Sequence, residues 1–263
     1  MKSFQKVKIP EESALYAFDS FNDKCAVIVG QSGLVLRTED GGATWTEVKT
    51  DTKNPLFAVE TLPGTGLAWA VGHFNTILHS KDRGKTWEAQ EYVMPEDAED
   101  EPGYNAVYFL NEQTGWIVGE FGTVLRTDDG GMKWTLQASL ERTPLYDVHF
   151  SNAENGVLVG ASGLIATTAD GGKTWAMKPA ETKSHLFRLS LVGETLFAVG
   201  QEGMFVKGTL GADTNWSVAK TGIYTWLDAV LFLTAEHGYV AGGRGTLLET
   251  TDGGKTWKTL SGR

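Results

Sequence analysis

Hydrophobic and polar residues alternate along short segments of this chain, and four such segments recur in a fixed order. One set comprises LYDVHF (145–150), GVLVG (156–160), GLIATT (163–168) and TWAMK (174–178). Alternation over so few residues, rich in β-branched and aromatic side chains, predicts strands with one buried face. No segment shows the period of an amphipathic helix. The chain is therefore predicted to be all-β and built from units of four short strands.

One tryptophan in each unit sets the repeat length. These tryptophans are separated by 42, 47, 41, 41 and 41 residues, and they are Trp45, Trp87, Trp134, Trp175, Trp216 and Trp257. A period just above 40 residues is typical of one blade of a β-propeller. A second motif precedes each of them, as VGQSG (29–33), VGHFN (71–75), VGEFG (118–122), VGASG (159–163), VGQEG (199–203) and AGGRG (241–245). Its glycine pair predicts a tight hairpin between the second and third strands, where positive φ favours glycine.

The repeats predict a single β-propeller domain over residues 1–263, with six four-stranded blades and with seven as the alternative. The blades are placed at approximately 15–49, 56–91, 104–138, 145–179, 186–220 and 227–260. Phe4 precedes Leu15 by eleven residues, as Trp45 precedes Leu56. Segment 4–10 is therefore predicted to be a further outer strand, which fastens the ring against the last blade.

An aspartate stands at a fixed place in five of the six repeats, within the pattern S/T-x-D-x-G-x-T-W. We predict that its carboxylate accepts backbone N–H groups of its own turn and that the tryptophan covers the adjacent hydrophobic layer. A catalytic or calcium-binding role is the alternative, although one such turn supplies too few oxygen ligands for calcium. The predicted structural set is Asp40, Asp82, Asp129, Asp170 and Asp252, with Trp45, Trp87, Trp134, Trp175 and Trp257. The sixth copy, GTLGADTNW (208–216), has lost the pattern, and a looser turn is expected there.

These motifs resemble those of the Asp-box proteins, whose boxes are also called bacterial neuraminidase repeats. The longer pattern VGxxGxVLRTxDGGxTW resembles the photosystem II assembly and stability factor family of chloroplasts and cyanobacteria, which has relatives in nonphotosynthetic bacteria. The resemblance covers nearly the whole chain. It implies a propeller, with seven blades expected in the photosynthetic members, and a role in assembling or supporting a membrane-associated complex. Asp boxes also occur in sialidases, so a glycan-binding or glycoside-hydrolysing propeller is the alternative function.

Composition and charge narrow the classes of partner. The chain is 41% hydrophobic and 21% charged, which is typical of a globular protein. Its net charge of −10 opposes binding to phosphate backbones, so no nucleic-acid partner is predicted. The N-terminal MKSFQKVKIPEES has neither a signal-peptide core nor a membrane-spanning run, and no direct membrane insertion is predicted. The expected location is the cytoplasm or, if a leader was removed, the periplasm or thylakoid lumen that the resemblance implies.

Catalytic and cofactor chemistry find little support in the sequence. The seven arginines do not match the carboxylate-binding cluster of a sialidase, whereas Glu60, Asp147 and Glu120 are the candidates for another type of glycosidase. The histidines lack zinc-ligand spacing, and Cys25 is the only cysteine, so no intrachain disulfide is possible. We predict no enzyme activity, no cofactor and no metal site, with a glycosidase as the alternative.

Residues that break the repeat are the candidates for binding another protein, such as a subunit of a membrane complex. Phe74 and Phe121 occupy equivalent hairpin positions and are expected to be exposed apolar anchors. Asp147 and Arg188 stand in the first strands of their repeats, which are expected to be the innermost, at a position where the other repeats carry alanine. An ion pair between them is favoured over ligand binding. The acidic insertion EYVMPEDAEDEPGY (91–104) is expected to be a solvated loop, with a basic partner as the alternative. The predicted partner-binding set is His73, Phe74, Glu120, Phe121, Asp147, Arg188 and Arg244, and a small glycan is the less favoured ligand.

Overall fold

The computed structural model describes residues 13–94, 101–211 and 215–261, and each sequence repeat within them forms one four-stranded antiparallel sheet. In every sheet the strands follow one another in chain order, as in the blade of a propeller. The described residues therefore form a β-propeller fold of six blades, which confirms the predicted fold class and not the seven-bladed alternative. The predicted closing strand 4–10 lies outside the described residues.

The strands are numbered along the chain, four to a blade. Blades 1 and 2 contain β1 (Leu15–Ser20), β2 (Ala26–Gly30), β3 (Val35–Thr38), β4 (Thr46–Val48), β5 (Leu56–Thr61), β6 (Ala68–Gly72), β7 (Ile77–Ser80) and β8 (Glu88–Gln90). Blades 3 and 4 contain β9 (Tyr104–Phe109), β10 (Gly115–Gly119), β11 (Thr123–Thr127), β12 (Thr135–Ser139), β13 (Leu145–Phe150), β14 (Gly156–Gly160), β15 (Ile165–Thr168) and β16 (Ala176–Met177). Blades 5 and 6 contain β17 (Leu186–Val192), β18 (Thr195–Gly200), β19 (Met204–Thr209), β20 (Ser217–Lys220), β21 (Leu227–Phe232), β22 (Gly238–Gly242), β23 (Thr246–Thr250) and β24 (Lys258–Ser261).

The chain divides into two compact units. The first unit is Met1–Glu120 with Leu125–Leu136, and the second is Phe121–Val124 with Gln137–Arg263. Blades 1 and 2 belong to the first unit, and blades 4, 5 and 6 belong to the second. The assignment of residues 1–263 to a single domain stays a prediction.

The hydrophobic core of each unit lies between neighbouring blades. In the first unit, Leu56 and Val59 of β5 pack with Val27 and Val29 of β2. At two other interfaces between blades, an aromatic pair joins the second strand of one blade to the first, inner strand of the next. The ring centroids are 3.4 Å apart for Trp69 and Phe109, and 3.5 Å apart for Phe197 and Phe232. These four aromatic residues thus contribute to sheet-to-sheet packing.

The inner strand of blade 1 differs from the others in exposure. Its first residue, Leu15, is 40% exposed, whereas Leu56 at the same position of blade 2 is 0% exposed. Phe18 is 61% exposed, whereas the matching Val59 is buried. The sequence pattern of a packed strand is therefore present in β1, but its apolar side chains stay largely in contact with solvent.

Two sequence features fall partly outside the described residues. Of the six acids in the insertion 91–104, only Glu91 and Glu101 are described, because 95–100 are not. The degenerate Asp box of blade 5, at 208–216, is not described at 212–214, so its looser turn stays a prediction. No helix in the described ranges has the length and apolar character needed to cross a bilayer.

Candidate partner-binding surface

Each blade has two ends with different loops, because its four strands alternate in direction. The Asp box joins the third and fourth strands and lies beside the loop between the first two, where the Gly41 N–H donates to the Lys24 carbonyl at 2.9 Å. The VGxxG hairpin lies beside the link entering the blade, where the Gln31 N–H donates to the Ala14 carbonyl at 2.9 Å. We call these the Asp-box end and the hairpin end of the blade.

The Asp-box carboxylates hold their own turns. Asp40 accepts hydrogen bonds from the backbone N–H of Thr44 at 2.8 Å, the hydroxyl of Thr44 at 2.6 Å and the hydroxyl of Thr38 at 2.8 Å. The Trp45 indole N–H donates to the Gly42 carbonyl at 3.2 Å, which fixes the ring against the turn. The Asp40 carboxylate therefore accepts these hydrogen bonds within its own loop. Among the described residues, no cluster of three or more His, Cys, Asp or Glu could hold a metal ion.

The hydrogen bonds of the turn favour the ionised carboxylate. The following threonine hydroxyl and backbone N–H lower the pKa of Asp40, Asp170 and Asp252 to about 2 in each case. In the third box, Lys133 takes the place of that threonine. Lys133 donates its backbone N–H to Asp129 at 2.9 Å but has no hydroxyl to donate. The assignment of the five aspartates and their tryptophans to structural roles agrees with this geometry and stays a prediction.

The hairpin end carries an unexpected backbone conformation. In each hairpin the residue before the second glycine, or before Asn75 in blade 2, has positive φ although it is not glycine. These residues are Ser32, Phe74, Phe121, Ser162, Glu202 and Arg244. The first glycine is extended instead, with φ of −171° at Gly200. A Cβ at Gly200 would lie 1.8 Å from the His185 carbonyl oxygen. The expectation of positive φ at both glycines was therefore wrong. The first glycine is needed because the backbone entering the blade approaches too closely for a side chain.

Aromatic side chains form a continuous row at the hairpin end of the first unit. The ring centroids are 5.5 Å apart for Tyr16 and Phe57, 6.0 Å for Phe57 and His73, and 4.1 Å for His73 and Phe74. Phe74 is 55% exposed, as expected for an apolar anchor. We call Tyr16, Phe57, His73 and Phe74 the aromatic row.

Glu120 lies beside this row. Its Oε2 atom accepts a hydrogen bond from the Gly103 N–H at 2.8 Å. A Cβ at Gly103 would lie 3.0 Å from Glu120 Oε2 and 3.1 Å from His73 Cδ2, so the glycine allows both side chains to approach. The structure therefore brings together His73, Phe74 and Glu120 from the predicted partner-binding set.

Phe121, which belongs to the second unit, is less exposed than expected. The guanidinium carbon of Arg142 lies 4.9 Å from the centroid of its ring, and the residue is half-buried. A cation–π contact therefore covers much of this side chain. Its role in partner binding stays a prediction.

Asp147 and Arg188 do not form the favoured ion pair among the described contacts. Asp147 is buried, and its two oxygens accept the backbone N–H groups of Val148 and Leu189, each at 2.9 Å. Arg188 Nη2 instead lies 3.9 Å from Asp228 Oδ1. The ion pair is not formed because one backbone donor of its own strand and one of the next blade already occupy the Asp147 carboxylate. The assignment of both residues to partner binding stays a prediction.

Two strongly exposed aromatic residues were missed in the sequence. Tyr224 and Trp226 lie in the link entering blade 6 and are 84% and 56% exposed. The signal was available, because the link entering blade 2 has Lys53 and Pro55 at the matching positions. Both aromatics belong to the second unit, as does the predicted partner-binding residue Arg244.

The profile of the photosynthesis system II assembly factor YCF48 family matches the chain over residues 1–95, 63–142, 135–221 and 209–261. The chain belongs to this family. The resemblance seen in its motifs is thereby confirmed. No protein of curated function shows significant sequence similarity to this YCF48-family chain.

Solved structures share the fold of this family member. A structure described as YCF48 bound to D1 peptide is 19% identical, with a TM-score of 0.76 over 96% of this chain and 82% of the other. YCF48 from Cyanidioschyzon merolae is 21% identical, with a TM-score of 0.75 over 97% and 87%. An ancestral GH74 enzyme is 13% identical, with a TM-score of 0.69 over 93% and 40%. At these identities, the likeness shows the propeller fold alone.

Proposed function

We propose that this YCF48-family chain is a noncatalytic platform that binds a segment of another protein during assembly or support of a membrane-associated complex. The observation that carries the proposal is the aromatic row of the first unit, which ends in the exposed ring of Phe74. A related protein, YCF48, has been solved bound to D1 peptide. That relative supports a peptide segment of another protein as the class of ligand.

The aromatic row suits recognition because its rings are held before a partner arrives. Phe57 makes an edge contact with Tyr16 on one side and with His73 on the other. Such fixed rings lose little conformational entropy on binding, so more of the contact energy is retained in the complex. Buried aromatic anchors are common interface hot spots, whose truncation costs about 2 kcal/mol or more. Phe74 is the predicted anchor.

The environment of the candidate catalytic carboxylates supports the noncatalytic part of the proposal. Glu120 accepts a backbone hydrogen bond from Gly103, and both oxygens of Asp147 accept backbone hydrogen bonds. A glycosidase needs one carboxyl group as proton donor and another as nucleophile or base, each facing the sugar. These two carboxylates serve the scaffold instead.

The test is copurification from the native host after crosslinking, with Phe74→Asn as the variant. Asparagine tolerates the positive φ of 51° at this position, so the hairpin is expected to keep its shape. The control is Met132→Asn, which removes an apolar side chain that is even more exposed, at 82%, from the Asp-box end of the first unit. We expect Phe74→Asn to weaken partner capture about tenfold or more and the control to leave it unchanged. Equal capture by both variants and the wild type would overturn the proposal.

The noncatalytic part has its own test. Wild-type protein and Glu60→Gln are incubated with a panel of aryl glycosides, and release of the aryl group is followed. We expect no turnover above the rate without protein. Turnover by the wild type that is abolished in Glu60→Gln would establish a glycosidase and refute this part of the proposal.

A further inference from the structure

The link entering blade 6 and the following hairpin form a second aromatic surface, in the second unit. Trp226 packs beside the hairpin, since a Cβ at Gly243 would lie 2.7 Å from Trp226 Cε2. Gly243 directly precedes Arg244, so the indole lies next to the residue at the tip of the hairpin. Tyr224 is 84% exposed, and the Nζ atom of Lys220 lies 5.8 Å from the centroid of its ring.

Among the described residues, the charges around this surface leave Arg244 without an ionic partner. Lys220 pairs with Glu202 at 3.3 Å, and Arg188 lies 3.9 Å from Asp228. Arg244 is exposed, and its guanidinium makes no ion pair with any of the described residues. An uncompensated guanidinium in a chain of net charge −10 is an attractive point for a negatively charged group.

Tyr224 and Arg244 face a common recess, and Trp226 lies beside it in the same link. Tyr224 and Arg244 both border a cavity of about 380 Å³, together with the hydroxyl-bearing Thr225, Thr246 and Thr259. A guanidinium binds a carboxylate through two parallel hydrogen bonds, while hydroxyl groups pair with backbone amides. Exposed tyrosine and tryptophan rings provide apolar contact area at low entropic cost.

We infer that Tyr224, Trp226 and Arg244 form a docking site for a protein segment that carries a carboxylate side chain next to an apolar one. The carboxylate pairs with Arg244, and the apolar side chain packs on the two rings. The single cation matches one carboxylate, and the net charge of the chain disfavours a polyanion such as a nucleic acid. The inference rests on the proposed function, to which it adds a second site and the chemistry of its ligand.

The test is selection from a phage library of random dodecapeptides on immobilised protein. The variants are Arg244→Glu, which reverses the charge, and Arg244→Asn, which retains a residue suited to the φ of 59°. The matched control is Arg83→Asn, which makes the same replacement at a φ of 61° in an Asp box of the first unit. Enriched peptides are then synthesised with Glu or Asp and with the corresponding amides, and their affinities are measured by fluorescence anisotropy.

We expect wild type and Arg83→Asn to enrich peptides with an acidic residue beside an apolar one. Amide replacement in the peptide or Arg244→Asn should each weaken binding about tenfold or more, and Arg244→Glu should enrich basic peptides instead. Enrichment of no peptide, or of peptides that bind Arg244→Asn as tightly as wild type, would overturn the inference. Because the capture test depends on Phe74, its outcome separates failure of this site from failure of the proposed function.

Discussion

The hydroxyl of Thr44 donates to Asp40 Oδ2 at 2.6 Å while the backbone N–H of the same threonine donates to Oδ1 at 2.8 Å. One residue therefore occupies both oxygens of the carboxylate and closes the turn. The arrangement is repeated at Asp170 by Thr174. In the third box, Lys133 retains the backbone contact to Asp129 but has no hydroxyl to donate.

Replacing Lys133 by threonine should restore the missing hydrogen bond. We expect the Lys133→Thr variant to raise the free energy of unfolding by about 0.5 kcal/mol, the lower end for a net hydrogen bond because the site is exposed. Urea unfolding measures the change. Lys133→Val is the control, since valine has the shape of threonine without its hydroxyl, and an equal gain in this variant would contradict the explanation.

The Asp boxes should make stability fall in acid. Their carboxylates have folded pKa values of about 2 at Asp40, Asp170 and Asp252, below the ordinary value of about 3.9. A depressed folded pKa stabilises the protein above the unfolded pKa, and this stabilisation is lost as the pH falls from about 4 towards 2. Urea midpoints measured from pH 7 to 2 should therefore drop over that interval. The triple Asp→Asn variant should be less stable at pH 7 and show a shallower drop, whereas parallel profiles would exclude these groups as the cause.

Leu15 and Leu56 provide a matched pair for testing blade packing. They occupy the same position of β1 and β5, but only Leu56 is fully buried. We expect Leu56→Ala to lower the free energy of unfolding by about 2–5 kcal/mol, and Leu15→Ala by less than about 1 kcal/mol. Urea unfolding of the two variants compares the costs, and similar losses would mean that Leu15 is packed in solution.

Gly200 should tolerate no side chain, because a Cβ there would lie 1.8 Å from the backbone oxygen of His185. We expect Gly200→Ala to lower the free energy of unfolding by about 3 kcal/mol, at the upper end for overpacking. Gly193→Ala is the comparison, since that position has open space and a φ of 59°, so its cost should be about 1 kcal/mol of backbone strain. Thermal unfolding ranks the two variants, and an equal cost would show that the close approach is easily relieved.

The fold could be predicted from the sequence because its signals repeat. The tryptophan spacing gave the blade period, and motifs such as VGQSG marked one hairpin in each blade. The exposure of β1 could not be predicted in this way, since Leu15 and Phe18 follow the same pattern as their buried counterparts Leu56 and Val59. A residue pattern records which side chains suit burial, and only the arrangement of the sheets determines whether they are covered.

The candidate site could be predicted less completely than the fold. The sequence identified His73, Phe74 and Glu120, which the structure brings together, because they interrupt a repeated frame. It did not reveal that the Leu189 N–H donates to Asp147, since a hydrogen bond to another blade depends on the register between sheets. Tyr224 and Trp226 lie in the link that enters blade 6 and not in a hairpin, so the hairpin motifs do not point to them.

The non-glycine residues with positive φ at the hairpin tips have a consequence for adaptation. Serine, phenylalanine, glutamate and arginine all occupy this one backbone conformation, at Ser32, Phe74, Glu202 and Arg244 for example. The loop geometry thus tolerates changes of size, polarity and charge without a change of path. Under the proposed function, exchanging single tip residues between blades would alter the partner that is bound while the framework is inherited intact, so new specificities could evolve one blade at a time.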